Sequence, residues 1–435
     1  MAGHTHRDGH ALRAKDTLRD IDAHGDKDAL RDEHGHPITG LRSVDEHRCL
    51  VTGLIRGGEV VEVPLQQALG RVLAHDVTSP IDLPPFDNSA MDGYAVRRAD
   101  IAVIPTTLPV TRDIPAGAAD VGPLAPGTAD RIMTGAPLPA GADLVVPVEF
   151  TDGGVERVTI TEDPGGRPHI RPAGDDVRSG STVLRAGTCV GAAHIGVAAA
   201  TGHATLPVFR ALTVLVLSTG SELAAPGNTL QPGQIYESNG QMLAAAVTQA
   251  GALARMAHFV ADDVDAFHRT LRESAAGVDL ILTSGGVSAG AYEVVKDALA
   301  GAGVEFAKIA MQPGMPQGAG LVDDIPTITL PGNPVSSFIS FEVFVRPALR
   351  AAMGYPDAAR PIVTAPLTES VDSPADKRQF RRGVLDAVAG TVAPVGGAGS
   401  HLLGALAAAD CLFVVPEGVD HVEAGAAVEV WLLDG

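Results

Sequence analysis

The chain's 435 residues exceed one ordinary hydrophobic core, predicting roughly two to four domains, and a formal charge of −20 argues against nucleic acid, whose phosphates require a basic face. Hydrophobic residues make up 45% and aromatics 4%, so the cores rest on Val, Leu, Ile and Ala, while 50 glycines and 31 prolines among apolar runs point to many turns and short strands. Cys49, Cys189 and Cys411 are far apart, which disfavours disulfides, zinc and iron–sulfur sites; with no apolar run of about 18 residues and no signal-peptide core, a cytoplasmic protein without membrane contact is expected.

Residues 1–40 are polar and rich in histidine (His4, His6, His10, His24, His34, His36) and read as a disordered tail. Ser43-Val44-Asp45-Glu46 has the form of a capping box and predicts a helix through Leu54. Short alternating runs such as Leu144-Val145-Val146-Pro147-Val148, separated by Gly/Pro turns, predict a β-rich domain over 76–183. Its flanks, 41–75 and 184–210, are assigned to one helical or linker domain.

From residue 211 the texture changes. Val214-Leu215-Val216-Leu217, Asp279-Leu280-Ile281-Leu282 and Thr327-Ile328-Thr329-Leu330 read as buried strands, alternating with helices at Met242 to Gly251, Val294 to Ala302 and beyond Pro334 to about Met353. This alternation predicts a doubly wound, three-layer α/β domain over 211–356. Short strands and glycine turns over 357–435 predict a small C-terminal β-barrel, giving an α/β plus β multidomain chain.

In open α/β sheets, ligands bind beyond the carboxyl ends of the strands. Three loops leave such ends here: Ser218-Thr219-Gly220 running on to Glu222, Thr283-Ser284-Gly285-Gly286 running on to Ser288, and Pro331-Gly332-Asn333 running on to Ser336. One Gly-rich loop is often only a turn; three on one sheet point to a phosphate-bearing ligand. Glu222, Asp262, Asp263 and Glu293 fall near the same edge, where carboxylates beside phosphates call for an intervening Mg²⁺. Asp262 and Asp263 could equally begin the next helix, and spacing alone leaves both readings open. Pro84-Pro85-Phe86-Asp87-Asn88-Ser89-Ala90-Met91-Asp92-Gly93-Tyr94-Ala95 reads as an ordered loop, either a tight turn fixed by Asx hydrogen bonds or a catalytic segment.

With this last segment, Met133-Thr134-Gly135-Ala136-Pro137, Ser218-Thr219-Gly220-Ser221-Glu222-Leu223, Ser284-Gly285-Gly286-Val287-Ser288, Pro331-Gly332-Asn333-Pro334-Val335-Ser336 and Gly399-Ser400-His401, the chain resembles the molybdopterin molybdenumtransferase family, of MoeA and gephyrin E-domain type. The likeness runs from about Val44 to the C-terminus. It implies a homodimer of four-domain subunits that hydrolyses adenylylated molybdopterin with Mg²⁺ and molybdate, releasing AMP, in concert with other cofactor-biosynthesis enzymes. It assigns Asp87, Thr134 and Asp176 to the second domain of one subunit, and Glu222, Asp262 or Asp263, Glu293 and Lys308 to the α/β domain of the other. Ser400 comes from the last domain. Where relatives often carry lysines this chain has Gln312 and Met315, leaving Arg378, Arg381 and Arg382, or the helix N-termini, to compensate. Two alternatives stand beside this reading: a molybdopterin adenylyltransferase, which needs only the α/β domain, and a non-catalytic scaffold of the same fold.

Overall fold

The computed structural model describes residues 40–220, 222–259, 264–285 and 294–433, so the tail assigned to 1–40 falls almost wholly outside the described residues. Helix Val44–Leu54 opens on the expected capping box: Ser43 Oγ accepts from the Glu46 amide at 3.2 Å and Ser43 N donates to Glu46 Oε2 at 2.9 Å. The helix buries Val44, His47 and Val51. Val44 and Val51 share one apolar cluster with Val214, Leu280, Ile328 and Phe344, so the first helix belongs to the α/β core in space. His47 stands edge-on to Phe344 at 4.7 Å, and desolvation drives its pKa down to about 4, keeping it neutral.

Strand Val60–Pro64 pairs antiparallel with Thr205–Phe209 around a small core of Val63, Leu73, Leu206 and Val208. Between these strands the chain makes a five-stranded sheet in the order Leu144–Pro147, Gly93–Val96, Ala129–Ile132, Thr106–Ile114, Arg157–Ile160. Tyr94, Val96, Leu144, Val146, Val158 and Ile160 fill its core.

The α/β region carries a six-stranded sheet in the order Leu253–Phe259, Thr213–Thr219, Leu280–Ser284, Ile325–Leu330, Pro316–Val322, Val304–Lys308. The first four strands are parallel, as the apolar runs predict. Pro316–Val322 is antiparallel to both of its neighbours, making the sheet mixed rather than wholly parallel. Its sequence, Pro-Gln-Gly-Ala-Gly-Leu-Val, hides the strand. The glycines are there because a Cβ on Gly320 would lie 2.0 Å from the Gly303 carbonyl oxygen, too close for any side chain.

The helix expected to end near Met353 is three pieces: Pro334–Ser340, a π-helical stretch Phe341–Val345, and Arg346–Ala352. All five residues of the π stretch are buried, which a regular amphipathic turn would not achieve. Among them is Glu342, which accepts from Arg360 Nε at 2.8 Å and Nη2 at 3.1 Å, with Arg346 Nε at 3.5 Å.

C-terminal strands Arg378–Asp386, Cys411–Val415, Ala427–Leu432 and Ile362–Pro366 form a further sheet, with Thr391–Pro394 on one side. The sheet takes its outermost strand, Met311–Gln312, from the α/β segment. The Ala310 amide donates to the Arg42 carbonyl at 2.8 Å and the Arg378 amide to the Ala310 carbonyl at 2.9 Å, stitching three distant segments together.

On this last region Val371–Asp372 pairs with His421–Val422, and His421 Nδ1 lies 2.6 Å from Asp372 Oδ1 with Glu423 at 3.5 Å from Nε2. The hydrogen bond to Asp372, more than any other contact, raises the His421 pKa above its usual 6.5. A raised folded-state pKa stabilises fully below the unfolded value and is lost as pH rises through the folded one. In an NMR titration, Asp372→Asn is expected to return the His421 midpoint toward 6.5 and to reduce that pH dependence of melting, Glu423 supplying the remainder; an unmoved midpoint would show the contact to be inert.

Candidate active site

The carboxyl ends of Thr213–Thr219, Leu280–Ser284 and Ile325–Leu330 open into a cleft of about 490 Å³. Ser218, Thr219 and Glu222 line it from the first end, Ser284 and Gly285 from the second, and Pro331, Gly332, Asn333 and Ser336 from the third. Gly220 lies in the turn between Thr219 and Glu222. Gly286, Ser288, Asp262, Asp263 and Glu293 lie outside the described residues. Gly285 has φ +99° and a Cβ there would meet the Thr219 carbonyl oxygen at 2.8 Å, so the first and second loops approach this closely because the residue lacks a side chain.

Sequence reasoning missed three further residues here: Glu237, Asn239 and Ser337. The Glu237 carboxylate, 6% exposed, forms part of the cleft wall and accepts from Ser218 Oγ at 2.9 Å and the Gly240 amide at 2.5 Å. Asn239 Nδ2 donates to Ser284 Oγ at 2.8 Å and to the Gly332 carbonyl at 2.7 Å. Ser337 is fully buried and donates to the Pro331 carbonyl. The available signal was the polar run Glu237-Ser238-Asn239 at the start of helix Asn239–Gln249.

Lys308 ends its strand opposite Pro316, a cleft residue, and is exposed at that rim. The Ser400 carbonyl accepts from the Val335 amide at 3.3 Å, bringing the C-terminal region against the third loop. None of the three compensating arginines is a loose cation at the cleft. Arg378 pairs with Asp45 and Glu417, each at 3.0 Å. Arg381 lies 5.9 Å from the Phe413 ring and donates to the Asp372 carbonyl at 3.4 Å. Arg382 donates to the carbonyls of Gly397 and Gly399, holding the loop that leads to Ser400. Gln312 accepts from Gln379 Nε2 at 2.7 Å, a neutral amide pair.

Asp87, Thr134 and Asp176 sit together elsewhere, on adjoining loops of the β-rich region, and all three are exposed. Asp87 Oδ1 accepts from the Ala173 amide at 2.7 Å, and the Asp176 amide donates to the Leu83 carbonyl at 3.0 Å. Thr134 donates through its amide (2.7 Å) and hydroxyl (2.8 Å) to Asp92 Oδ1, and these bonds, the amide's first, lower the Asp92 pKa. Asp92 thus orients Thr134, a role its place in the 84–95 motif did not reveal. Among the described residues, none of these hydrogen bonds reaches the α/β cleft. Nor, among the described residues, do three or more His, Cys, Asp or Glu side chains gather as a metal-binding group.

Residues 42–202 match the MoeA N-terminal region (domain I and II), 215–351 a probable molybdopterin binding domain, and 364–433 the MoeA C-terminal region (domain IV). Over 402 residues the chain is 56% identical to molybdopterin molybdenumtransferase 2 of Mycobacterium tuberculosis, covering 90% of this chain and 99% of that one. It is 33% identical to the molybdopterin molybdenumtransferase of Bacillus subtilis, covering 90% and 94%. A crystal structure of a molybdopterin biosynthesis MoeA protein from Pyrococcus horikosii superposes with a TM-score of 0.76 at 30% identity, over 91% of this chain and all of that one. With sequence likeness along nearly its whole length and a matching fold, this chain belongs to the MoeA family.

Proposed function

We propose that this chain is a molybdopterin molybdenumtransferase of molybdenum-cofactor biosynthesis whose reaction runs at a site shared between two copies. Adenylylated molybdopterin lies in the α/β cleft of one copy, and the Asp87, Asp92, Thr134 and Asp176 loops of the other close over it. The observation that carries this reading is the pairing of two separate constellations: a cleft of about 490 Å³ at the strand ends, and an ordered, exposed acidic patch none of whose hydrogen bonds, among the described residues, reaches it. Phe86 (44% exposed) and Met91 (37%) beside Asp87 offer apolar surface for the second copy. The division into a 41–75 plus 184–210 domain, a 76–183 domain, a 211–356 domain and a 357–435 domain is part of this proposal.

In the reaction, a water oxygen bonds to phosphorus as the anhydride P–O bond breaks and AMP leaves; molybdate, a substrate, gives up one oxygen as water, which carries off the two thiol protons of the pterin, as two Mo–S bonds form with no change in oxidation state. The wall carboxylates Glu222 and Glu237 supply oxygen donors of the kind Mg²⁺ accepts, with Asp262, Asp263 and Glu293 as the remaining sequence candidates. Bound there, Mg²⁺ would neutralise phosphate charge beside these carboxylates. Lys308 at the rim supplies a cation for molybdate or phosphate, and Ser218, fixed by Glu237, presents its oxygen at the cleft floor. Purified protein given adenylylated pterin, molybdate and Mg²⁺ is expected to release AMP. Pyrophosphate release from ATP and molybdopterin, without AMP release from the adenylylated pterin, would instead establish the adenylyltransferase reading.

A further inference from the structure

The cleft does not end at its three loops. Tyr236, Glu237 and Ser238 line both it and an adjoining open shelf of about 720 Å³, whose lining is mostly apolar and includes Pro226 and Met242. The chain is poor in aromatics, and among the described Phe, Tyr and Trp side chains only Phe86 and Tyr236 are exposed, at 44% and 46%. Phe86 stands beside Asp87 on the β-rich region, so Tyr236 is the one exposed aromatic at the cleft among the described residues.

This ring is exposed yet held at both ends. Strand Ile235–Tyr236 runs parallel to Leu223–Ala224. The Ile235 amide donates to the Glu222 carbonyl and the Glu237 amide to the Ala224 carbonyl, each at 2.9 Å, fixing the backbone on either side of Tyr236. At the tip of the side chain the hydroxyl donates to the Asn228 carbonyl at 2.9 Å. The ring has thus given up rotational freedom without gaining burial, a cost that contact with a ligand would offset. With its hydroxyl spent on its own loop, what the side chain presents is its π face. A fixed aromatic face beside an apolar shelf suits a flat, fused-ring nitrogen heterocycle, which stacks on a Tyr ring and packs against a Met thioether. Gln241, on the same shelf, carries an amide able to pair with ring nitrogens.

We propose that Tyr236 is a binding residue, a stacking platform where cleft and shelf meet, for a fused-ring heterocycle of the ligand. The proposal rests on the reading above that the ligand is an adenylylated pterin, which carries two such rings. Adenine and pterin share the flat π surface that the platform recognises, and the test tells them apart.

The test uses the full chain, with AMP, 6-hydroxymethylpterin and ribose 5-phosphate as probes. Tyr236→Ala is expected to weaken by about tenfold the binding of the compound whose ring rests there, AMP for adenine or hydroxymethylpterin for pterin. Ribose 5-phosphate, which has no heteroaromatic ring, is expected to bind the variant as it binds wild type. Tyr236→Phe keeps the face and loses only the hydroxyl tether, so its affinity is expected to stay within about threefold of wild type. In protein with labelled tyrosine rings, the Tyr236 signals, assigned through Tyr236→Phe, are expected to shift with the stacking compound and not with ribose 5-phosphate. Unchanged affinity for both AMP and hydroxymethylpterin in Tyr236→Ala, or Tyr236 signals that neither compound moves in wild type, overturns the platform. So does an equal loss for ribose 5-phosphate, which would mean that the substitution disturbs the whole cleft. A variant that dimerises more weakly yet binds both compounds as before assigns the ring to the contact between copies and overturns it too. Should Tyr236→Ala not fold, the wild-type ring signals decide. Stacking with the expected shifts but no AMP release from adenylylated pterin would overturn the reaction and leave the platform standing.

Discussion

Asp87→Ala and Glu222→Ala proteins, each nearly inactive alone, regain about a quarter of wild-type AMP release once their subunits exchange, on the shared-site geometry. Each homodimer lacks one carboxylate at both of its sites. In a mixed dimer both lesions fall in one site and the other is intact. Random exchange makes about half the dimers mixed, and half the sites of those are whole, which gives the quarter. Asp87 is anchored by the Ala173 amide in a loop with no described bond to the cleft that holds Glu222, so the two lesions perturb different places. AMP release is measured before and after mixing, with heterodimers verified by differently tagged subunits. No recovery in verified heterodimers would place both carboxylates in one subunit's site and refute the shared arrangement.

Glu342→Ala is expected to be among the most destabilising single substitutions in the α/β core. The carboxylate lies 2.8 Å from Arg360 Nε and within 3.5 Å of Arg346 Nε, and all three side chains are nearly inaccessible. Burial first, and then the neighbouring Arg360, already hold the Arg346 pKa down to about 10. Removing the shared anion leaves two guanidinium groups in a low-dielectric interior, at a cost of about 3–5 kcal/mol. In a core of this size that corresponds to a fall of the melting transition on the order of 10 °C. Replacing Glu342, Arg346 and Arg360 together by apolar residues of similar volume should recover most of the loss. A Glu342→Ala protein that melts like wild type would mean that water reaches this triad freely.

The legible parts of the fold were those with a local signal. Ser43 and Glu46 announced their helix because both halves of the capping box lie within four residues. Val214 to Leu217 and Leu280 to Leu282 announced strands because a parallel sheet buries both faces. Pro316–Val322 gave no such signal, since its glycines answer to Gly303 and Thr329, residues met only after folding. The site divides the same way. Loop residues such as Gly285 and Gly332 stood out by composition, whereas Glu237, Asn239, Ser337 and Asp92 matter through partners that only the folded chain brings to them: Ser218, Ser284, Pro331 and Thr134. The engagement of Arg378, Arg381 and Arg382 was hidden for a related reason. Positive charge is visible in a sequence, but the Asp45 carboxylate and the glycine carbonyls that occupy it are not.

The contact between Arg42, Ala310 and Arg378, together with the burial of Val44 and Val51 among residues of the α/β core, imposes an order on synthesis. The first helix emerges from the ribosome with its apolar stripe complete, yet the segments that pack against it, Pro316–Val322 and Phe341–Ala352, are made only about 260 to 310 positions later. At about 5–20 residues per second the nascent helix waits on the order of ten seconds to a minute for its partners. Its resting place closes last, when the C-terminal strands add to Met311–Gln312. The polypeptide therefore matures by drawing its first helix and its C-terminal strands onto one middle segment, and removal of either exposes the same apolar seam.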